Sequence, residues 1–214
     1  MSRVEGEVRR EIVDFGKALY ERRLITGMSG NISGRLDDEA IIITPSGHSK
    51  GHLKEFDLVR MLIKDGKVTA GGKPSMETPF HLAFYKARKD VGGVVHAHPL
   101  HCTLLACSGR TVRTDLTPEG LLYLGKVAFV PYATPGSKEL AENLEAAMQG
   151  HNAFIMQNHG AIAVGKDVTE AYYRLEALEF LAEMQVMVEG AGNVKGLEDA
   201  EVRKILDMAE GAKR

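Results

Sequence analysis

Several residue types are scarce in this sequence, and each shortage argues against a class of protein. Its 214 residues include no tryptophan and two cysteines, Cys102 and Cys107, which lack the Cys-x-x-Cys spacing. We therefore expect neither a disulfide framework nor a thiolate zinc site. The first ten residues are charged and no apolar run approaches the ~20 residues needed to cross a bilayer, so neither a signal peptide nor a membrane partner is predicted. We expect a cytoplasmic protein.

An excess of charge is also missing. The 27 basic residues nearly balance the 29 acidic ones, for a net charge of −2, and neither sign forms a long block. A partner bound through charge, such as nucleic acid, is not predicted, and a small molecule fits better. The length suits one large domain, and no repeat or break in composition divides residues 1–214.

Apolar residues recur at helical and at strand spacing along the chain. Helical spacing predicts helices at 4–24, 79–89, 99–108, 118–124, 138–148, 168–188 and 198–210. Thr78, Thr117 and Ser137 are the predicted N-caps of 79–89, 118–124 and 138–148, and the predicted buried stripe of 79–89 is Phe80, Ala83, Phe84 and Ala87. Short apolar runs predict strands at 40–44, 58–63, 67–69, 92–98, 126–130, 153–157 and 161–164. Because Asp65-Gly66 is a two-residue hairpin turn, part of the sheet should be antiparallel. We interpret 26–35, rich in glycine and small polar residues, as a loop.

The most informative stretch is Gly92–His101, in which an apolar run ends in His96-Ala97-His98. Side chains alternate along a strand, so His96 and His98 should face the same side, as two ligands of one metal ion would. Hydrogen-bonded histidines at a strand end are an equal alternative. A third histidine, His159, ends another apolar strand, and Glu77 precedes a predicted helix, where it could equally be an ordinary surface glutamate. Spacing alone does not show that these residues converge.

Two loops have the composition of an anion site. Thr26–Arg35 and Pro45-Ser46-Gly47 combine glycine with small polar residues, which lets backbone N–H groups approach a phosphate. Plain tight turns would look the same. No Gly-Lys-Ser/Thr follows either loop, so a nucleotide-binding P-loop is not predicted.

Six ordered motifs resemble the class II aldolase and epimerase (adducin-like) family over roughly Val8–Met208. They are Gly30-Asn31-Ile32-Ser33, Thr44-Pro45-Ser46-Gly47, Lys73-Pro74-Ser75-x-Glu77, Val94-Val95-His96-x-His98 with His101-Cys102-Thr103, Pro131-Tyr132-Ala133-Thr134, and Asn158-His159-Gly160. The resemblance implies an α/β fold, a single domain with a central, mainly antiparallel β-sheet flanked by α-helices in three layers. It also implies a homotetramer with active sites near subunit interfaces.

The same resemblance implies a site for a sugar phosphate and a metal ion, Zn²⁺ or alternatively Mn²⁺, Co²⁺ or Ni²⁺. The implied metal ligands are His96, His98, His159 and Glu77, and Glu77 would also be the catalytic acid and base. The implied phosphate-binding residues are Gly30, Asn31, Ser46, Gly47 and Ser75. The implied reaction is reversible cleavage of a ketose 1-phosphate, L-fuculose 1-phosphate or similar, to dihydroxyacetone phosphate and an aldehyde through a zinc-stabilised enediolate.

Three positions depart from the pattern of the fuculose-phosphate enzymes. Met76 replaces a second serine, Thr117 stands where we align a tyrosine proton donor, and Pro135 replaces an aromatic residue. The residues implied for forming the enediolate are present, whereas the residues implied for binding the aldehyde do not match the pattern for one known substrate.

Other functions of the family stay open. The 4-epimerases carry an aspartate where this chain has Glu77, which favours the aldolase. The ligand set does not exclude a methylthioribulose-phosphate dehydratase or an oxo-tetronate-phosphate decarboxylase. A non-catalytic adducin-like module would lack the ligands that are present here. Of the remaining histidines, His101 is expected to point away from the metal. His48, His52, His81 and His151 are expected to be exposed or locally hydrogen-bonded.

Overall fold

Strands from the whole length of the chain join in one eight-stranded sheet. A computed structural model describes residues 3–192 and 194–211, with side chains described to residue 208. The helices are α1 Glu5–Glu21, α2 Thr78–Ala87, α3 Leu100–Cys107, α4 Pro118–Leu124, α5 Lys138–Ala147, α6 Val168–Gly190 and α7 Asp199–Gly211. The strands are β1 Asn31–Arg35, β2 Ala40–Ile43, β3 Val59–Leu62, β4 Val68–Ala70, β5 Gly93–Ala97, β6 Val127–Val130, β7 Ala153–Met156 and β8 Gly160–Gly165.

The order of the strands is β4-β3-β2-β1-β5-β8-β7-β6, and only the pair β6–β7 is parallel. The predicted mainly antiparallel sheet is therefore confirmed, as is the hairpin at Asp65-Gly66 that joins β3 and β4. β5 lies near the middle, between β1 and β8. A strand in this place is covered on both faces, which explains its unbroken apolar run.

Helices cover both faces of the sheet and give the expected three layers. One layer contains α1, α3, α4 and α6, packed on residues such as Val95, while the other contains α2 and α5, packed on residues such as Val94. Val94 and Val95 lie on opposite faces because side chains alternate along a strand. The alternation thus supplies one sheet with two apolar cores.

The largest error of the sequence prediction lies at 26–35, where the second half of the predicted loop is the central strand β1. The three polar residues of β1, Asn31, Ser33 and Arg35, are buried and face α2, where they find hydrogen-bond partners. Gly34 faces α1, and a Cβ there would lie 2.6 Å from a methyl group of Val8. β1 is therefore a strand whose polar composition is satisfied by distant residues.

Capping residues were predicted well with one exception. Thr117 and Ser137 accept hydrogen bonds from Gly120 N and Leu140 N at the starts of α4 and α5, which confirms both caps. Thr78, the predicted cap of α2, is instead the first residue of that helix, and its hydroxyl donates to Ser75 O at 2.6 Å. Position 77 precedes the helix, and this leaves the Glu77 side chain free to point elsewhere.

Among residues 3–192 and 194–211, no helix has both the length and the apolar character that a bilayer span requires.

Candidate metal and substrate site

Three histidines converge at one end of the central strands. His96 is in β5, fully buried, with Asn31 of β1 opposite it on one side and Ile162 of β8 on the other. His98 follows β5 directly, and His159 lies in the turn between β7 and β8. Each ring offers one nitrogen, and the three nitrogens lie within 4.8 Å of one another. The structure thus brings together residues that the sequence separates by up to 63 positions.

The turn before β8 depends on a glycine that permits this approach. A Cβ at Gly160 would lie 2.6 Å from the carbonyl oxygen of Ala97 and 2.7 Å from Cδ2 of His98. Because no side chain fits there, Gly160 lets the His98 ring lie beside the turn that carries His159.

Glu77 completes the cluster. It is 9% exposed, so the alternative of an ordinary surface glutamate is wrong. Its Oε2 accepts a hydrogen bond from Asn31 Nδ2 at 2.7 Å and lies 3.2 Å from His96 Nε2, while its Oε1 lies 3.1 Å from His159 Nε2. One carboxylate therefore faces two of the three histidines.

The site holds its histidines in a form suited to metal binding. Nδ1 of His96 lies 2.9 Å from the carbonyl oxygen of Ala161, which can only accept, so Nδ1 carries a proton and Nε2 is the ring nitrogen left to bind a metal ion. Burial, together with the neighbouring histidines, lowers the pKa of His98 to about 3, which keeps that ring neutral as well. Neutral imidazoles are what a divalent ion binds.

Glu77, in contrast to His98, is held in its charged form. Burial alone raises its pKa, but the adjoining His96 and His159 rings and the hydrogen bond from Asn31 outweigh burial and hold the pKa below its ordinary value. The carboxylate is therefore ionised near neutral pH.

The four side chains of this cluster suit a divalent cation. Three imidazole nitrogens and one carboxylate form a donor set that suits zinc and related ions. The buried Glu77 Oε1 and His159 Nδ1 have no hydrogen-bond partner in the part of the chain that the structure describes. An ion bound at Oε1 would compensate a buried polar atom that otherwise costs stability.

The segments at 44–47 and 73–75, which carry the implied phosphate-binding residues Ser46, Gly47 and Ser75, lie side by side. Pro45 pairs with Pro74 in an isolated bridge, Ser46 N donates to Lys73 O at 3.0 Å, and Ser75 N donates to Thr44 O at 3.2 Å. Ser46 and Ser75 are therefore neighbours. Gly47 follows with φ +74°, exposed and with open space around it. These loops lead through Ser75 to Glu77, and so the predicted phosphate residues adjoin the predicted metal ligands.

The remaining two predicted phosphate residues, Gly30 and Asn31, lie against the histidines. Gly30 has φ +71°, and a Cβ there would lie 2.8 Å from the carbonyl oxygen of His96. The Asn31 amide uses Oδ1 toward His81 and Nδ2 toward Glu77. An amide nitrogen has two hydrogens, so one hydrogen bond to Glu77 does not exhaust its capacity.

Sequence reasoning missed a lysine behind these loops. Lys50 is 3% exposed, and its ammonium group donates to Met28 O at 2.6 Å and to His48 O at 2.9 Å. Met28 precedes Gly30 and His48 follows Gly47, so one charge ties both loops together. Burial lowers the pKa of Lys50 to about 8, although the charge of Glu77 opposes this. In the sequence, Lys50 looks like any surface lysine.

Sequence reasoning also misjudged His81, which is fully buried beside the site rather than exposed. Its ring contacts Asn31 and Ser33, and Tyr85 follows one turn later on the same helix. His81 and Tyr85 are spaced by four residues, so they share one face of α2, and Glu77 lies four residues before His81, just ahead of the helix. Polar residues at this spacing in an otherwise apolar helix are a signal that could have identified His81. The apolar stripe predicted for the same helix included Ala87, which is exposed.

The other histidines lie outside the cluster, as predicted. His101 Nδ1 is 2.9 Å from Glu179 Oε1 and is not in the three-histidine group. His48 is exposed, and His151 is half-buried and bonded to Ala147 O.

Comparisons with known proteins find relatives that match most of this chain. The sequence profile of the "Class II Aldolase and Adducin N-terminal domain" matches residues 10–186. A 3-oxo-tetronate 4-phosphate decarboxylase of Haemophilus influenzae is 34% identical over 198 residues, which are 91% of this chain and 93% of that protein. An L-fuculose phosphate aldolase of Methanocaldococcus jannaschii is 36% identical over 179 residues, or 84% of this chain and 96% of that protein. A solved structure described as L-fuculose 1-phosphate aldolase superposes with a TM-score of 0.88 at 33% identity, covering 95% of this chain and 96% of the other.

Proposed function

Because the chain belongs to the Class II Aldolase and Adducin N-terminal domain family, we propose that it is a metal-dependent enzyme that breaks a carbon–carbon bond of a sugar phosphate and forms the enediolate of dihydroxyacetone phosphate. The first candidate reaction is aldol cleavage of a ketose 1-phosphate, such as L-fuculose 1-phosphate. The observation that carries the proposal is the convergence of three histidine nitrogens within 4.8 Å, with the Glu77 carboxylate beside them.

In this proposal His96, His98, His159 and Glu77 hold the ion, for which Zn²⁺ is our first choice because three imidazoles and a carboxylate suit it. Mn²⁺, Co²⁺ and Ni²⁺ accept similar ligands. When bound, the ion would supply a positive charge against which negative charge develops during bond cleavage. His96 is well prepared for this role, since the carbonyl of Ala161 orients its ring.

Glu77 moves the proton. In cleavage the electron pair of the broken bond stays on the dihydroxyacetone phosphate fragment, which then needs a proton on carbon. Glu77 would deliver it after taking up a proton, either the one released from the substrate hydroxyl or one from water. In the reverse direction the ionised carboxylate would remove that proton. The lowered pKa of Glu77 means that the carboxylate is ionised and therefore has a lone pair available to accept a proton.

Gly30, Asn31, Ser46, Gly47 and Ser75 bind the phosphate in this proposal. The pairing of 44–46 with 73–75 supports it, since it brings Ser46 and Ser75, each with a hydroxyl that can donate, into adjacent segments. Lys50 adds the positive charge that these neutral donors lack. A fixed phosphate would orient the reacting carbons toward Glu77.

Decarboxylation of a 3-oxo-tetronate 4-phosphate is the second candidate. Loss of CO₂ from such a β-oxo acid leaves the same enediolate, so the metal, Glu77 and phosphate sites would serve it unchanged. Two observations favour it. The relative from Haemophilus influenzae matches 91% of this chain. In addition, Thr117 stands where we align the tyrosine proton donor of the fuculose-phosphate enzymes, and its hydroxyl caps α4 by accepting from Gly120 N. Release of CO₂ needs no proton exchange with an aldehyde oxygen, whereas an aldolase does need such a partner.

One assay tests the proposal and separates the candidates. The metal-loaded protein is incubated with a panel of ketose 1-phosphates and with 3-oxo-tetronate 4-phosphates, with and without a chelator. Both reactions release dihydroxyacetone phosphate, but only the decarboxylase releases an equal amount of CO₂. A panel in which neither product appears, with a divalent metal present in stoichiometric amount, would overturn the proposed function.

We further propose that the enzyme is a cytoplasmic homotetramer. Exposed apolar residues on α6, Tyr173, Phe180 and Met187, recur every seven positions and form one stripe. Leu100, on the neighbouring α3, is 69% exposed. A stripe of this kind supports burial against another copy of the chain.

A further inference from the structure

Five buried side chains form a chain of hydrogen bonds that ends at Glu77. Tyr85 OH lies 2.8 Å from Ser33 Oγ, which lies 2.6 Å from His81 Nδ1. His81 Nε2 lies 2.5 Å from Asn31 Oδ1, and Asn31 Nδ2 lies 2.7 Å from Glu77 Oε2. They come from α2, β1 and the residue before α2, and each is at most 9% exposed. Because these side chains are shielded from bulk solvent, their hydrogen-bonding groups depend on one another.

The direction of every proton in this chain follows from its ends. The Glu77 carboxylate can only accept, so Asn31 turns its NH₂ group toward it and its carbonyl oxygen toward His81. That carbonyl oxygen can only accept, and so Nε2 of His81 carries the hydrogen.

The order continues through the neutral ring. With its hydrogen on Nε2, His81 leaves a lone pair on Nδ1, which accepts the single hydrogen of the Ser33 hydroxyl. Ser33 then has no hydrogen left for Tyr85, so the Tyr85 hydroxyl donates to Ser33. All four hydrogens point toward Glu77.

We infer that His81 is a positioning residue for Glu77, held as the neutral Nε2–H tautomer so that Asn31 keeps its NH₂ group on the carboxylate. The inference rests on the proposed function, because it is the role of Glu77 in proton transfer that makes its orientation important. Residues that orient the groups around a metal typically change metal affinity or activity by about 10–100-fold when they are replaced.

The tautomer is measured directly by NMR of protein labelled with ¹⁵N in histidine, in the metal-free and zinc-loaded states. We expect His81 to show a protonated Nε2 and an unprotonated Nδ1 at neutral pH. His81→Gln identifies the resonances by their disappearance. A His81 ring that is protonated on Nδ1, or on both nitrogens, would overturn the inference.

Two substitutions test the positioning role. The amide nitrogen of His81→Gln reaches about as far as Nε2 and can still donate to Asn31, whereas that of His81→Asn reaches only as far as Nδ1. We expect His81→Asn to lower kcat by about 10–100-fold with little change in KM, and to weaken zinc binding in a chelator competition. His81→Gln should recover most of both losses.

His151→Asn is the matched control, since that ring lies outside the cluster, where it hydrogen-bonds to Ala147 O and has Phe154 as its aromatic neighbour. Equal losses in His81→Gln and His81→Asn would show that the ring only fills space, and no loss in either would also refute the inference. The NMR and zinc-binding measurements need no substrate. They therefore remain decisive if the panel of sugar phosphates shows no turnover, an outcome that counts against the proposed function alone.

Discussion

Replacing Glu77 by glutamine is the sharpest test of the site, because it changes one oxygen atom to NH₂ and leaves the size of the side chain unchanged. Glu77 Oε2 accepts from Asn31 Nδ2 at 2.7 Å, and the glutamine keeps one oxygen for this bond. The three histidine nitrogens within 4.8 Å of one another are untouched. We therefore expect Glu77→Gln to fold and to retain its metal.

The size of the effect follows from the step that is lost. A positioned acid or base contributes about 10²–10⁴-fold to a rate, which corresponds to about 2.7–5.4 kcal/mol of activation free energy. A glutamine cannot take up the proton, so kcat should fall by about this factor. KM should change little, because the glutamine keeps the size of the side chain and the bond to Asn31, which leaves the phosphate-binding residues in place.

Exchange of the dihydroxyacetone phosphate C–H proton with D₂O, followed by NMR, measures this step without an aldehyde or CO₂. It therefore applies to both candidate reactions. Metal content is determined on the same sample, and Glu142→Gln on α5, whose carboxylate is 58% exposed, is the matched control. Near-normal exchange in Glu77→Gln would refute the acid and base role. Loss of the metal together with the rate would show that Glu77 acts mainly as a ligand.

Three further predictions concern the metal, the phosphate and the assembly. His96→Ala or His159→Ala should lose metal and activity together, as determined by metal analysis and turnover; an active, metal-free variant would contradict the ligand set. Lys50→Met should raise KM for the phosphorylated substrate by about tenfold, since a hydrogen bond to a charged group is worth about 1.5–3 kcal/mol. Because burial lowers the pKa of Lys50 to about 8, its charge is lost as the pH rises through 8, so KM of the unmodified enzyme should rise above that pH and KM of Lys50→Met should not. Phe180→Glu should reduce the mass measured by light scattering from that of a tetramer, and an unchanged mass would exclude this stripe as the interface.

Much of the fold could be read from local patterns. Seven of the eight strands and all seven helices coincide with predicted segments, with ends that differ by a few residues. Apolar residues recur every two residues in strands and every 3.6 residues in helices, and caps such as Thr117 and Ser137 bond to residues three positions away. Both signals therefore depend on neighbours in sequence. The candidate metal ligands were also recognised, because His96, His98 and His159 each stand in a motif at a strand end.

The errors share one physical cause. Asn31–Arg35 was taken for a loop because polar side chains in a buried strand are costly unless partners satisfy them, and the partners of Asn31 and Ser33, which are Glu77 and residues of α2, lie 46–52 positions away. The same long-range contacts bury His81. Lys50 was overlooked because the Met28 carbonyl that it binds is 22 positions away.

The sequence by itself therefore determined the order of the elements, which follows from spacing along each strand or helix, and it indicated the candidate ligands through motifs that resemble those of one family. Only the tertiary structure decided how the polar residues between them are used. It buried Glu77 against two histidines, directed a chain of hydrogen bonds toward its carboxylate and placed the Lys50 ammonium group behind two loops. Burial makes each of these groups dependent on partners from other elements, and that dependence has no trace in local sequence.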